Sequence, residues 1–149
     1  MVSYLQKQNI SVIDYMISSH YDEDHVAGLV RCLDSFSVKN VIGADYVQDT
    51  KIYQSFENSV AAQGLTVQHP EPGTDFTFGS GKFTVLSPQS ISSNDNDNSV
   101  AIRLENGNNH FLFTGDAESA GEEAICNLGL DLSCDVIVPG HHGSATATT

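Results

Sequence analysis

Ser11-Val12-Ile13-Asp14-Tyr15-Met16-Ile17-Ser18-Ser19-His20-Tyr21-Asp22-Glu23-Asp24-His25 decides how the chain is read. Its first half, Ser11 to Ser18, is short, apolar and β-branched, the pattern of a buried strand with both faces covered. The second half is a polar knot. A helical pattern follows at once, with Val26, Leu29, Val30 and Leu33 spaced i, i+3, i+4 and i+7. The knot packs His20, Asp22, Asp24 and His25 into six residues. A lone histidine is readily satisfied in a core or on a surface. Four ligand-type side chains straight after an apolar strand are hard to explain by packing, and a tight loop can direct them at two adjacent cations.

Val2 to Gln8 reads as a short amphipathic helix end. Val38 to Gly43 is a strand, Thr50 to Gln63 a helix ended by Gly64, Leu65 to Gln68 a short strand, and Pro70 to Gly73 a turn. Phe76, Phe78, Phe83, Val85 and Leu86 suggest a hairpin around Gly79-Ser80-Gly81. Val100 to Leu104 and Phe111 to Phe113 suggest another around Asn106-Gly107-Asn108. Ser90 to Asn98 is a polar loop, Glu118 to Leu128 a helix, and Asp135 to Val138 a last buried strand ending at Pro139-Gly140-His141-His142. With no repeat and no linker, residues 1–149 form one α/β domain.

Three polar clusters each follow an apolar strand: His20 to His25, Asp116, and His141-His142-Gly143-Ser144. Sites in α/β sheets gather beyond strand ends. Read alone, Asp116 suits a turn or a helix cap. Together the clusters suit a two-metal hydrolytic centre, in which ions about 3.5–4 Å apart hold a hydroxide and clamp the reacting oxygens.

Nineteen acidic residues against six basic ones give a net charge of −13, which argues against a surface that coats nucleic acid. It leaves room for a metal site, because carboxylates that hold cations count as negative. Hydrophobic residues are 40% and charged residues 17%, so the chain is a globular domain and not an acidic tail. No stretch approaches the ~20 apolar residues of a membrane helix, and MVSYLQKQNIS has no apolar signal core. Cys32, Cys126 and Cys134 form no CxxC pair. They read as buried reduced thiols, with a Cys126–Cys134 disulfide as the alternative.

The motifs resemble the metallo-β-lactamase superfamily, whose signature is His-x-His-x-Asp-His on a loop after a strand. Here His20, Asp24 and His25 match, and Asp22 replaces the middle His. SHYDEDHVAGL, NSVAIRL followed by HFLFTGDAE, and VIVPGHHGS are similar to one branch, the metallo-β-lactamase-like domain of ComEC family DNA-uptake (competence) proteins. The resemblance spans Val12 to Ser144 and implies an αββα sandwich with two divalent ions, Zn²⁺ or Mn²⁺. It implies a metal-dependent hydrolase, in this branch a nuclease that degrades the DNA strand not imported. His20 and Asp22 would hold the first ion, and Asp24, His25 and the final His the second, with Asp116 bridging. The Val-Pro-Gly-His run puts the final ligand at His141, with His142 facing substrate as phosphate contact or leaving-group acid; the reverse assignment is the alternative. Asp24 would also orient the metal-activated hydroxide that attacks phosphorus. Asn98, Ser99 and Ser144 are the expected substrate contacts.

Three departures from the superfamily pattern shape these expectations. The separate middle His is missing: neither His69 nor His110 falls where it belongs, and Ser93 to Ser99 occupies that position with oxygen and amide groups. Harder ligands shift the first site from Zn²⁺ towards Mn²⁺ or Mg²⁺, while the bland reading of this loop is a solvated turn. The fold looks truncated at both ends, so Val12 to Ser18 would expose a sheet edge that self-associates or is covered by rearranged segments. The charge fits DNA poorly unless other domains of a membrane DNA-uptake protein supply a basic path. Two other readings stand beside the nuclease: a stand-alone hydrolase of another ester or phosphodiester, and a metal-poor structural or interaction module. A competence domain would work at the extracytoplasmic face of a bacterial membrane, a stand-alone enzyme in the cytoplasm.

Overall fold

The computed structural model describes residues 1–148. The chain forms two compact units, Met1–His69 and Pro70 onwards. In chain order the first unit holds α1 (Val2–Lys7), β1 (Val12–Ile17), α2 (Glu23–Leu33), β2 (Ser37–Ile42), α3 (Lys51–Ala62) and β3 (Val67–Gln68). Its strands are parallel in the order β1-β2-β3, as strands joined through crossover helices must be.

The apolar stripes of α2 and α3 meet the sheet in one core: Val26, Cys32 and Leu33, then Phe56 and Val60, against Met16, Val38 and Val41. Leu29 and Val30 pack on it partly buried, completing the spacing read from sequence. Thr50 starts α3, its hydroxyl accepting from the Tyr53 amide at 3.2 Å. Gln63 ties the end of α2 to the start of β2. Its amide nitrogen donates to the carbonyls of Leu33 (2.5 Å) and Phe36 (2.9 Å), and its oxygen accepts from Val38 N (2.8 Å).

The second unit holds β4 (Asp75–Phe78), β5 (Gly81–Val85), β6 (Ile102–Asn106), β7 (Asn109–Phe113), α4 (Ser119–Cys126) and β8 (Val136–Val138). They build one sheet in the order β4-β5-β6-β7-β8, antiparallel except for β7 and β8. Both hairpins close through two-residue loops, Gly79-Ser80 and Gly107-Asn108, led by glycines at φ 54° and 61°. That left-handed start matches the twist of the paired strands. Leu86, Ala101, Leu112 and Ile125 form one buried apolar cluster of this unit.

Three expectations are corrected here. β1 lies at a sheet edge among the described residues, as expected, but it is not covered on both faces: only Met16 is buried, and Val12 is 42% exposed. β8 is also an edge strand, and Val136, Ile137 and Val138 are each 46–47% exposed, because among the described residues it pairs only with β7. Cys126 and Cys134 are exposed free thiols, and Cys32 alone is buried.

The chain entering β8 is held by carboxylates. The His110 amide and ring keep the Asp135 carboxyl below its ordinary range, and the Ser133 amide and hydroxyl do the same for Asp131. A carboxyl with a lowered folded-state pKa stabilises above its unfolded pKa, and that contribution disappears as pH falls through the folded value. The urea midpoint should therefore drop when pH falls from neutrality to below the carboxylate range. The drop should be smaller in Asp131→Asn/Asp135→Asn.

Candidate metal centre

In the first unit the ligand-type side chains sit where β1 runs out. The Ser18 amide continues the ladder to Ile42 O (2.9 Å), and its buried hydroxyl donates back to His20 O (2.7 Å), curling the chain. Tyr21 then dives into the core. Its ring lies 4.9, 4.8 and 5.8 Å from those of Tyr46, Tyr53 and Phe56, and its hydroxyl donates to Ala44 O at 2.7 Å. Tyr21 and Ser18, which sequence reading passed over, thus fix the backbone on both sides of His20. Burial pushes the Tyr21 phenol far above its ordinary pKa, with neighbouring Tyr53 and Glu57 adding to it, so it stays a neutral donor.

On this frame the four side chains come together. The rings of His20 and His25 stand 4.2 Å apart, and both Nδ1 atoms lie 3.2 Å from the Ser19 hydroxyl. That oxygen has lone pairs for two N–H donors, which turns both Nε2 atoms towards carboxylates. His20 Nε2 is 3.6 Å from Asp22 Oδ2, and His25 Nε2 is 3.7 Å from Asp24 Oδ2. Ligand atoms about 2.0–2.2 Å from one tetrahedral ion stand about 3.3–3.6 Å apart, so the spacing suits shared cations better than direct hydrogen bonds. Asp22 is also the N-cap residue of α2, yet its side chain makes no capping bond. Its carboxylate instead meets His20 and the Gln48 amide (3.1 Å), forgoing about 1 kcal/mol of helix capping.

In the second unit the ends of β7 and β8 are stitched by the bond from His141 N to Gly115 O (3.1 Å). Asp116 is buried, its amide donates to the Ser99 hydroxyl (3.0 Å), and its Oδ2 lies 3.3 Å from His142 Nε2. His141 and His142 both have left-handed backbone, φ 45° and 54°. Such strain in non-glycine residues gathers at functional sites. The two rings diverge, so His142 and not His141 faces Asp116. His141 turns to Glu118, with Nδ1 3.0 Å from Oε1. Glu118 also accepts from Thr146, Asn96 and Asn94, and these bonds, Thr146 first, hold its carboxyl below the ordinary range. Sequence reading missed Glu118; its one signal was its place two residues after Asp116.

The polar loop is not a solvated turn. Asn98 and Ser99, expected as substrate contacts, are fully buried. Asn98 bonds both backbone groups of Ser92, and Ser99 holds the Asp116 amide; both side chains position the loop. Asp97 Oδ1 accepts from the amides of Glu118 and Gly121, each at 3.0 Å, and so caps α4 from outside the helix. Ser144 is half-buried, its hydroxyl 3.0 Å from that of Thr146.

A sequence model of the metallo-beta-lactamase superfamily matches residues 3–149. The chain belongs to that superfamily. Membership points to a metal-dependent hydrolase and to divalent-metal binding, and the donor sets in both units fit such ions. The chain is 27% identical over 150 residues to ComE operon protein 3 of Bacillus subtilis, covering 99% of this chain and 19% of that protein. It is 30% identical over 151 residues to Recombination protein 2 of Haemophilus influenzae, covering 100% and 17%. It is 28% identical to Competence protein ComA of Neisseria gonorrhoeae, covering 100% and 19%. These relatives bear out the resemblance to the competence branch, and the chain spans about a fifth of their length. Among solved structures, CmlA, a diiron beta-hydroxylase from Streptomyces venezuelae, superposes with a TM-score of 0.50 at 16% identity. The match covers 73% of this chain and 21% of that one, and at that identity it shows the fold alone. No helix of the described residues is long and apolar enough to cross a membrane.

Because Asp97 caps α4, Asp97→Ala should cost about 1–2 kcal/mol in urea denaturation. Asp95→Ala, two residues away and exposed, should cost less than about 0.5 kcal/mol.

Proposed function

We propose that this chain is the phosphodiester-hydrolysing domain of a DNA-uptake protein, cutting single-stranded DNA. The observation that carries this reading is the set of imidazole–carboxylate pairs spaced for cations, on competence-branch motifs. The ligands in the first unit are His20, Asp22, Asp24 and His25, and those in the second are Asp116 and His142. His142 takes the place first read for His141, because it is the histidine against Asp116. When bound, two divalent ions supply an activated water and neutralise charge at the reacting phosphate.

The protein's own groups do the rest. Asp24, exposed on the first turn of α2, orients the attacking water. His20 and His25 are held by Ser19, and the Asp116 backbone by Ser99, so within each unit the ligands are positioned before substrate arrives. Ser144 and His141 lie outside the ligand set and face substrate. Work at the extracytoplasmic side of a membrane, beside domains that supply a basic DNA path, belongs to the same proposal. One observation favours a second reading, hydrolysis of another ester or a small phosphodiester: the net charge of −13 repels a polyanion.

Cleavage of single-stranded DNA with added Mn²⁺, set against a small phosphodiester, separates the two readings. Preferential cleavage of DNA supports the first, and cleavage of the small ester alone supports the second. Asp24→Asn should lower the rate by about 10²-fold or more without changing the melting temperature; near-wild-type turnover would remove Asp24 from its role.

Oxygen-rich ligation makes Mn²⁺ the better activator and leaves zinc tight at no more than one site. Asp22→His should raise zinc stoichiometry, measured by elemental analysis after dialysis. Two tightly held zinc ions in the unaltered chain would contradict the assignment.

A further inference from the structure

His141 and His142 are adjacent in sequence, yet their surroundings differ. His142 presents Nε2 to Asp116 at 3.3 Å. His141 presents Nδ1 to Glu118 at 3.0 Å, and its ring plane is turned 62° from that of His142, with centroids 6.1 Å apart. The left-handed backbone at both residues sends consecutive side chains in different directions.

Glu118 is unusually well held for a half-buried carboxylate. Oε1 accepts from His141 Nδ1 (3.0 Å), Thr146 Oγ1 (3.0 Å) and Asn96 Nδ2 (3.3 Å), and Oε2 accepts from Asn94 Nδ2 (3.1 Å). Its amide is itself fixed by Asp97. An imidazole nitrogen at hydrogen-bond distance from an acceptor-only carboxylate carries its proton there. Nε2, across the ring, then points away from Glu118, and the His141 side chain is 32% exposed.

We infer that Glu118 is a positioning residue that separates the roles of the two histidines. It locks His141 in the Nδ1–H tautomer with Nε2 turned to substrate, and leaves His142 to the metal at Asp116. What Nε2 meets rests on the phosphodiesterase reading; the tautomer and the division between the two rings do not. Carboxylates that orient metal-bound histidines are worth about 10–100-fold when removed, and a loss of that order in cleavage rate is expected here for a histidine that faces substrate.

The test is nitrogen NMR on the metal-free, ¹⁵N-histidine-labelled chain above the titration range of histidine, with His141→Gln to assign the signals. Two-bond proton–nitrogen correlations should show His141 protonated on Nδ1. Glu118→Ala should release it to the Nε2–H form. Glu118→Gln should keep it on Nδ1, because the amide oxygen still accepts. A wild-type His141 protonated on Nε2 would overturn the inference, as would an unchanged tautomer in Glu118→Ala.

Metal content supplies the second arm. After manganese loading, His142→Ala should lose metal, whereas His141→Gln and Glu118→Ala should retain wild-type stoichiometry while cleaving DNA about 10–100-fold more slowly. Loss of a metal equivalent in His141→Gln would refute the division of roles. The expected tautomers with no cleavage of any phosphodiester would uphold Glu118 as positioning residue and overturn the functional reading instead.

Discussion

The buried hydrogen bond from the Tyr21 hydroxyl to the Ala44 carbonyl is the constraint on which the first unit's site depends. A polar pair sealed among apolar groups must be made, because leaving either partner unsatisfied costs about 1–3 kcal/mol. Tyr21 is 1% exposed and ringed by Tyr46, Tyr53 and Phe56. The residues on either side have no freedom to drift: His20 is swung inward and Asp22 is delivered to the start of α2. Gly43 belongs to the same arrangement. A Cβ at that position would fall 2.5 Å from the Tyr21 oxygen, so the bare backbone at the end of β2 is what lets the tyrosine reach its acceptor.

The second unit solves the same problem with carboxylates. Asp97 gathers the amides at the head of α4, and Glu118 gathers side chains from the 94–96 loop and from residues 141–146. Some of the chain's acidity is therefore internal scaffolding. A formal charge of −13 counts these groups alongside solvated ones. The net figure is thus a weaker guide to what the site tolerates than the bonding of each acid.

Much of the fold was legible because it rests on local periodicity. The α2 stripe, the helix read from Thr50 and the two glycine-led hairpins appear where the sequence puts them. Strand exposure was not legible: Val12 and Val136 to Val138 read as interior from their apolarity, yet what decides exposure is whether a neighbour covers them. At the site, the ligand-type residues were evident from type and clustering. The supports were not, because Tyr21, Ser99, Asp97 and Glu118 act through partners 17 to 28 positions away. Composition carries no record of such pairings. The choice between the tandem histidines stayed open for a related reason, since it turns on a backbone conformation that histidine rarely adopts.

That conformation has an evolutionary reading. Left-handed backbone costs an L-residue roughly 1–2 kcal/mol, a cost glycine escapes. His141 and His142 bear it side by side, just ahead of Gly143, which occupies the same region of backbone space at φ 78°. Backbone comfort alone would fill all three positions with glycine or asparagine. Imidazoles persist there only while their chemistry is worth the strain. In a descendant that kept the fold for scaffolding and abandoned its chemistry, relaxation would be fastest at this pair, ahead of any change in the core. Under the proposed function, the residues at these two positions would be a compact marker for telling working copies of the domain from retired ones.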